Sequence, residues 1–223
     1  MKYNKLNIIG DTHGRPCWKE LVQDDAINIF MGDYLDSREV AISPQEELVN
    51  FLEILHYKKE HPENVVLLVA NHDLKHMFGY EKPHYYDMFY ESRRLFDGVA
   101  YAHGNYLITH AGVSKEWYER YFGEYKGESA TELAEKINQL FIKDRNAFSF
   151  RVNQYFATDI CGEDPYQSPV WVRPKTLINS NLLKNTNIIQ VIGHTPVKEI
   201  VDMGKLVLVD CLGTKTDSYI INI

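Results

Sequence analysis

Residues 5–14 read KLNIIGDTHG: an apolar run that ends in a glycine, a carboxylate and an imidazole. Leu6, Ile8 and Ile9 suit a buried strand, whereas Asp11 and His13 bury nothing and stand at its mouth. Two further runs repeat this arrangement. AINIFMG (26–32) opens into GDYLDSR (32–38), and NVVLLVA (64–70) opens into ANHD (70–73). Between them lies a helix: Ser43 suits its N-cap, Pro44 its first turn, and Glu46 completes a capping box. Leu48, Phe51, Leu52 and Leu55 follow helical spacing, and Lys58 and Lys59 suit the C-terminal end. Strand, helix, strand predicts a right-handed crossover with parallel neighbours, the unit of an α/β fold.

The second half changes character. VAYAHGNYLITH (99–110) predicts a hairpin around His103-Gly104-Asn105, and VKEIVDMGKLVLVD (197–210) another, turning at Met203-Gly204. A helix is expected from Ser129, capped with Glu132, through Leu133, Ile137, Leu140 and Phe141. Residues 145–175, with Pro165, Pro169 and Pro174, lack periodicity and read as an irregular insertion or lid. No linker interrupts the chain, so 1–223 is expected to be one domain carrying that insertion.

The 223 residues suffice for one sizeable core. With 31 acidic against 24 basic residues the formal net charge is -7, which argues against stable nucleic-acid binding and against anionic membranes. An anionic substrate is still allowed, because a bound cation reverses the local field. Cys17, Cys161 and Cys211 are too scattered for a disulfide framework. The N-terminus lacks a signal-peptide apolar region and no run reaches membrane-spanning length. A cytoplasmic protein with reduced thiols is expected.

The polar groups gather at strand ends. Asp11 and His13 follow the first strand, Asp33, Asp36 and Arg38 the second, and Asn71, His72 and Asp73 the third. THAG (109–112) places His110 at a hairpin end, and NIIQVIG (187–193) leads into HTP with His194. In an open α/β sheet such ends converge on the ligand crevice. Two Asp, one Asn and three His form a metal-ligand inventory of oxygen and imidazole that suits Mn, Fe or Zn. They exceed what one ion needs, and two ions sharing a carboxylate would use them all. Taken singly, each of these residues also fits a turn, a cap or a satisfied core histidine; the ordered ensemble does not.

The ordered set GDTHG, GDYLDSR, ANHD, THAG and GHTP resembles the calcineurin-like metallophosphoesterase superfamily, over residues 10 to about 213. It is most similar to the bacterial and phage Ser/Thr protein phosphatase-like branch, with diadenosine tetraphosphatases as neighbours. The resemblance implies a two-sheet β-sandwich flanked by helices. It implies two divalent or trivalent metal ions, Mn by preference: Asp11 and His13 on the first, Asn71, His110 and His194 on the second, Asp33 bridging. His72 would be the general acid and Asp36 its orienter. The implied chemistry is hydrolysis of a phosphate monoester, in a phosphoprotein or a small phosphoester or nucleotide, by a metal-bridging hydroxide without a phosphoenzyme. Two metals lower a water pKa from about 16 toward about 7 and neutralise equatorial charge, which is what this reaction demands.

Two positions depart from the family pattern. Ala70 replaces the glycine before Asn-His, a change compatible with negative φ. Ser37 stands where the phosphatase branch has arginine, and Arg38 comes one residue later. Arg38 and Arg173 of SPVWVRP (168–174), which resembles the Trp-x-Arg segment of bacterial phosphatases, are the candidate phosphate clamps, since a guanidinium can grip phosphate oxygens bidentately. His56, His61, His76, His84 and His103 match no motif and are expected on helix surfaces or loops, and PHYYDMFYESRRLF (83–96) as an aromatic amphipathic helix. The competing functions are a dinucleoside polyphosphate hydrolase of the same superfamily and a catalytically silent metal-binding scaffold. The presence of both His72 and Asp36 speaks against silence.

Overall fold

A computed structural model describes residues 3–37, 39, 41–78, 83–150 and 164–223, and of residues 83–86 the backbone only. In chain order the elements are β1 (Lys5–Ile9), β2 (Ala26–Phe30), α1 (Pro44–Glu60), β3 (Val65–Leu67), α2 (Asn71–Met77), α3 (Pro83–Ser92), β4 (Ala100–His103) and β5 (Tyr106–Thr109). They continue with α4 (Lys115–Phe122), α5 (Ala130–Lys143), α6 (Pro174–Ser180), β6 (Ile189–Ile192), β7 (Val201–Asp202), β8 (Leu206–Leu208) and β9 (Tyr219–Asn222). Arg38 and residues 151–163 of the expected lid lie outside the described residues. No helix among the described residues is long and apolar enough to cross a membrane.

The chain forms two compact units. The first comprises Met1–Asp97, Pro196–Ile200 and Val209–Ile223. Its sheet has the order β3-β2-β1-β9, with β1, β2 and β3 parallel and β9 antiparallel to β1. The crossover between β2 and β3 is α1, closed at its start by the Ser43–Glu46 capping box. The buried face of α1 is turned from the expected one: Phe51 and Leu55 are buried, but so are Glu47, Asn50, Ile54 and Lys58, whereas Leu52 is exposed. Each of these polar side chains makes at least one hydrogen bond. Asn50 accepts the Trp18 indole N–H at 2.9 Å, Lys58 donates to Val65 O and to the Asp97 carboxylate, and Glu47 accepts the Ser37 N–H at 2.5 Å. That last bond ties the loop after β2 to the helix. The core around α1 is aromatic: Phe51 stacks on Phe89 of α3 at 4.9 Å, and Tyr34 and Phe96 complete the group.

The second unit comprises Gly98–Thr195 and Val201–Leu208. Its sheet has the order β4-β5-β6-β8-β7. The two expected hairpins are the antiparallel pairs β4/β5 and β7/β8, joined by β6, which is parallel to both β5 and β8. Helix α5 starts at the Ser129–Glu132 capping box and buries Leu133, Ile137 and Phe141. Asn138 of α5 accepts the Val99 and Ala100 N–H groups and donates to Ala100 O, so the helix is bonded to the β4 edge. Two mixed sheets, each with its helices, make up an α/β fold.

Candidate metal centre and acid pair

In the first unit the sites lie where β1, β2 and β3 end. His13 N–H donates to Asp33 O at 2.8 Å and Gly14 N–H to Tyr34 O at 2.9 Å, which joins the turn after β1 to the turn after β2. Asp73, fully buried at the start of α2, joins the second turn to the third. Its carboxylate accepts the N–H groups of Asp33 (2.9 Å), Tyr34 (3.2 Å) and Ala70 (2.8 Å). Burial, and next the Asp33 charge, push the Asp73 pKa up to about 6, against those three donors.

Asp11, His13 and Asp33 each offer a ligand atom within 4.8 Å of the others. The His13 tautomer is set by its surroundings. Nδ1 lies 2.7 Å from Leu35 O, which can only accept, so Nδ1 carries the proton and Nε2 the lone pair. Nε2 lies 3.6 Å from an Asp33 oxygen. Burial lowers the His13 pKa, opposed by Asp33, which favours the neutral ring that a metal requires. Two carboxylates and a neutral imidazole, oriented through its other nitrogen, fit a Mn, Fe or Zn ion.

Asp33 also accepts the His72 backbone N–H at 2.9 Å, so this candidate ligand carboxylate is bonded to the residue beside Asn71. The His72 Nδ1 donates to Asp36 Oδ2 at 3.0 Å. Burial raises the Asp36 pKa, but the hydrogen bonds from His72 and His76 outweigh it and hold the carboxyl well below the usual range. The His13 and His72 rings meet edge to face at 5.2 Å. Asn71, buried, opens α2.

His110 and His194 belong to the second unit. His110 follows β5, and its carbonyl accepts the Gly193 N–H at 2.8 Å, holding the two loops together. The rings are 5.0 Å apart. His194 Nε2 donates to Trp171 O at 3.0 Å, which places the lone pair on Nδ1. Arg173 grips the same loop: its Nη1 donates to His194 O at 2.9 Å and to Thr195 Oγ1 at 3.1 Å. The Trp-x-Arg segment is therefore a support for His194, which its motif position alone did not reveal.

The backbone marks the site independently. Among the described residues the non-glycine residues with positive φ are His13 (43°), Asp33 (52°), Asp36 (63°) and His194 (64°). Each is a residue singled out from sequence, and such conformations persist only where surrounding structure imposes them. Ala70 has φ -113°, so its methyl is tolerated there. Gly32, at φ +95°, faces it: a Cβ at 32 would lie 2.4 Å from the Ala70 Cβ. Gly32→Ala is expected to destabilise by about 2–4 kcal/mol, from the left-handed backbone and the overlap together. That lowers Tm by roughly 5–15 °C. Adding Ala70→Gly should recover only the share due to the Ala70 methyl, because Ala70 N and Asp73 Oδ2 would still lie 2.9 Å from that Cβ, as calorimetry of both variants would show.

Two further residues are bonded into this site without a sequence motif that assigns them a role. Asp73 was visible as the third helical residue after ANH, a position from which an acid reaches back to the N-cap. His76 was expected on a surface or loop. It is instead fully buried, with Nε2 3.0 Å from Asp36 Oδ2. Its spacing of four from His72 places both rings on one helix face, a signal that becomes readable only once α2 is recognised.

Comparison with known proteins agrees with this fold. The sequence model of the calcineurin-like phosphoesterase family matches residues 5–212. A cold-active protein-tyrosine phosphatase of a psychrophilic Shewanella species shares 17% identity at TM-score 0.59, over 99% of this chain and 76% of that one. A protein serine/threonine phosphatase from Saccharomyces cerevisiae shares 17% at TM-score 0.50, over 94% and 67%. At that identity the likeness is one of fold. No curated protein sequence matches the chain.

Proposed function

The chain belongs to the calcineurin-like phosphoesterase family, metal-dependent hydrolases of phosphoric esters, and on that premise we propose that it is a phosphomonoesterase of the Ser/Thr protein phosphatase type with two metal ions. On the family resemblance, Asp11 and His13 would hold one ion and Asn71, His110 and His194 the other, with Asp33 a ligand of both; the grouping of Asp11, His13 and Asp33 supports the first of these. Such ions, when bound, would supply a water of lowered pKa and neutralise charge on the phosphoryl oxygens.

The chain's own residues do the rest. His72 Nδ1–H is committed to Asp36, so Nε2 is the atom that can carry a transferable proton. The observation that carries the reading is the Asp33 carboxylate, which sits among the ligand atoms and accepts the His72 N–H, so that the acid is tethered to the ligand cluster. Loss of an alkoxide is the step such an acid assists. A phosphoserine peptide, a phosphotyrosine peptide, diadenosine tetraphosphate and an aryl phosphodiester, each offered to the Mn-loaded protein, test the proposal. Fastest turnover of the phosphoserine peptide is expected. Preference for the dinucleotide or the diester would replace it by a nucleotide hydrolase or a diesterase, and no turnover of any by a scaffold.

We assign Arg173 to the substrate phosphate as well as to the His194 loop. Arg173→Ala should lower kcat/KM per bound metal by about 10²-fold, beyond whatever metal the loosened His194 loop gives up, and Lys should rescue only partly, lacking the guanidinium fork. Loss of metal in proportion to the loss of activity would reduce Arg173 to a support of His194, and unchanged kcat/KM would remove it from the reaction altogether.

A further inference from the structure

His76 makes a contact that the proposed reaction does not require. Asp36 Oδ2 receives two imidazoles, His72 Nδ1 and His76 Nε2, both at 3.0 Å. The two histidines differ in setting. His72 is half-buried beside the ligand cluster, whereas His76 is wholly buried, its ring stacked at 5.7 Å and 12° on Phe89 of the aromatic core. Asp36 itself is held at φ +63°, a backbone state that a non-glycine residue keeps only under outside constraint.

We infer that His76 is a positioning residue for the acid: anchored in the core, it fixes the Asp36 carboxylate, and Asp36 in turn fixes the His72 ring. The inference rests on the assignment of His72 as acid. A ligand's outer hydrogen-bond partner sets its orientation in the same way, and loss of such a partner costs about 10–100-fold in activity. A carboxylate oxygen has room for two in-plane donors. With His76 bonded, Asp36 has one orientation that serves His72; without it, the carboxylate can turn toward other donors. A histidine present only to fill the core would be replaceable by leucine, whereas a positioning histidine needs a donor at the Nε2 place. Glutamine puts its amide nitrogen about there, and asparagine falls short.

The test uses full-length Mn-loaded protein and compares kcat for a phosphoserine peptide and for nitrophenyl phosphate. A displaced acid hurts the peptide, whose leaving group is a strong base, more than the aryl ester; lost folding or metal hurts both alike. His76→Leu should lower the peptide-to-aryl ratio about tenfold or more with metal content at the wild-type level, and His76→Gln should keep the ratio within about threefold. An unchanged ratio in His76→Leu, or an equal fall in His76→Gln, overturns the inference. Should the leucine variant not fold, Gln against Asn decides: a ratio kept by Gln and lowered by Asn supports positioning, and equal ratios refute it. His72→Asn runs alongside. If it lowers the ratio while the His76 variants do not, only the role of His76 falls; if it leaves the ratio unmoved, or the wild-type protein is inactive, the acid assignment and this inference fall together.

Discussion

Asp33→Asn should at least halve the bound metal per chain and lower kcat by about 10³-fold or more. The magnitude follows from the several kcal/mol of charge stabilisation that metal ions contribute to a reaction of this kind. The substitution is a clean one because of the backbone. Asp33 sits at φ +52°, where asparagine is among the few residues at ease. The Asp33 N–H still reaches Asp73, and an amide oxygen can still accept the His72 N–H, as the carboxylate does at 2.9 Å. What disappears is one negative charge among the ligand atoms. Asp33→Ala would remove the acceptor and strain the turn as well, so its larger effect would be harder to read. Elemental analysis and kcat measured on the same preparations settle the matter. A fully active wild-type protein with a single ion, or an Asn variant that keeps two ions and its activity, would rule out a shared carboxylate.

How far the sequence reveals this molecule depends on the range of the interactions involved. The parallel β1-β2-β3 sheet and the start of α1 are legible because they rest on local signals: apolar runs, a capping box, a proline in the first turn. The strand-end polar residues are legible for the same reason, since each follows its strand directly. Which face α1 buries is not: Lys58 is buried because Asp97, 39 residues away, neutralises it, and Glu47 because Ser37 donates to it. Leucine spacing cannot foresee such partners, and so Leu52 was expected inside and lies outside. Helix α2 escaped notice because NHDLKHM is polar for five of its seven residues. It forms where Asp73 reaches back to Ala70, and its polar side chains are used by the site rather than by solvent. The roles of His76 and Asp73 are illegible without it. Arg173 was located by its motif, but its bond to the His194 carbonyl depends on loops 21 residues apart.

His72→Asn gives the second large effect, and its size depends on the substrate. The His72 backbone N–H bonds Asp33, and asparagine retains it, so the ligand cluster and its metal content should stay intact. The side chain is what changes. Nδ1–H of His72 is held by Asp36 and Nε2 is left to donate, whereas an asparagine amide has no proton to give at neutral pH. Positioned acids are worth about 10²–10⁴-fold, so hydrolysis of a phosphoserine peptide should fall by about that factor. Nitrophenolate is a weak base that leaves unaided, and nitrophenyl phosphate should lose far less. Asp36→Asn should reproduce the pattern in milder form, because an amide oxygen can still accept the His72 Nδ1–H but without the charge of the carboxylate. Equal losses on the two substrates would mean that His72 acts through binding or ligand geometry, and the proton would then have to come from another group.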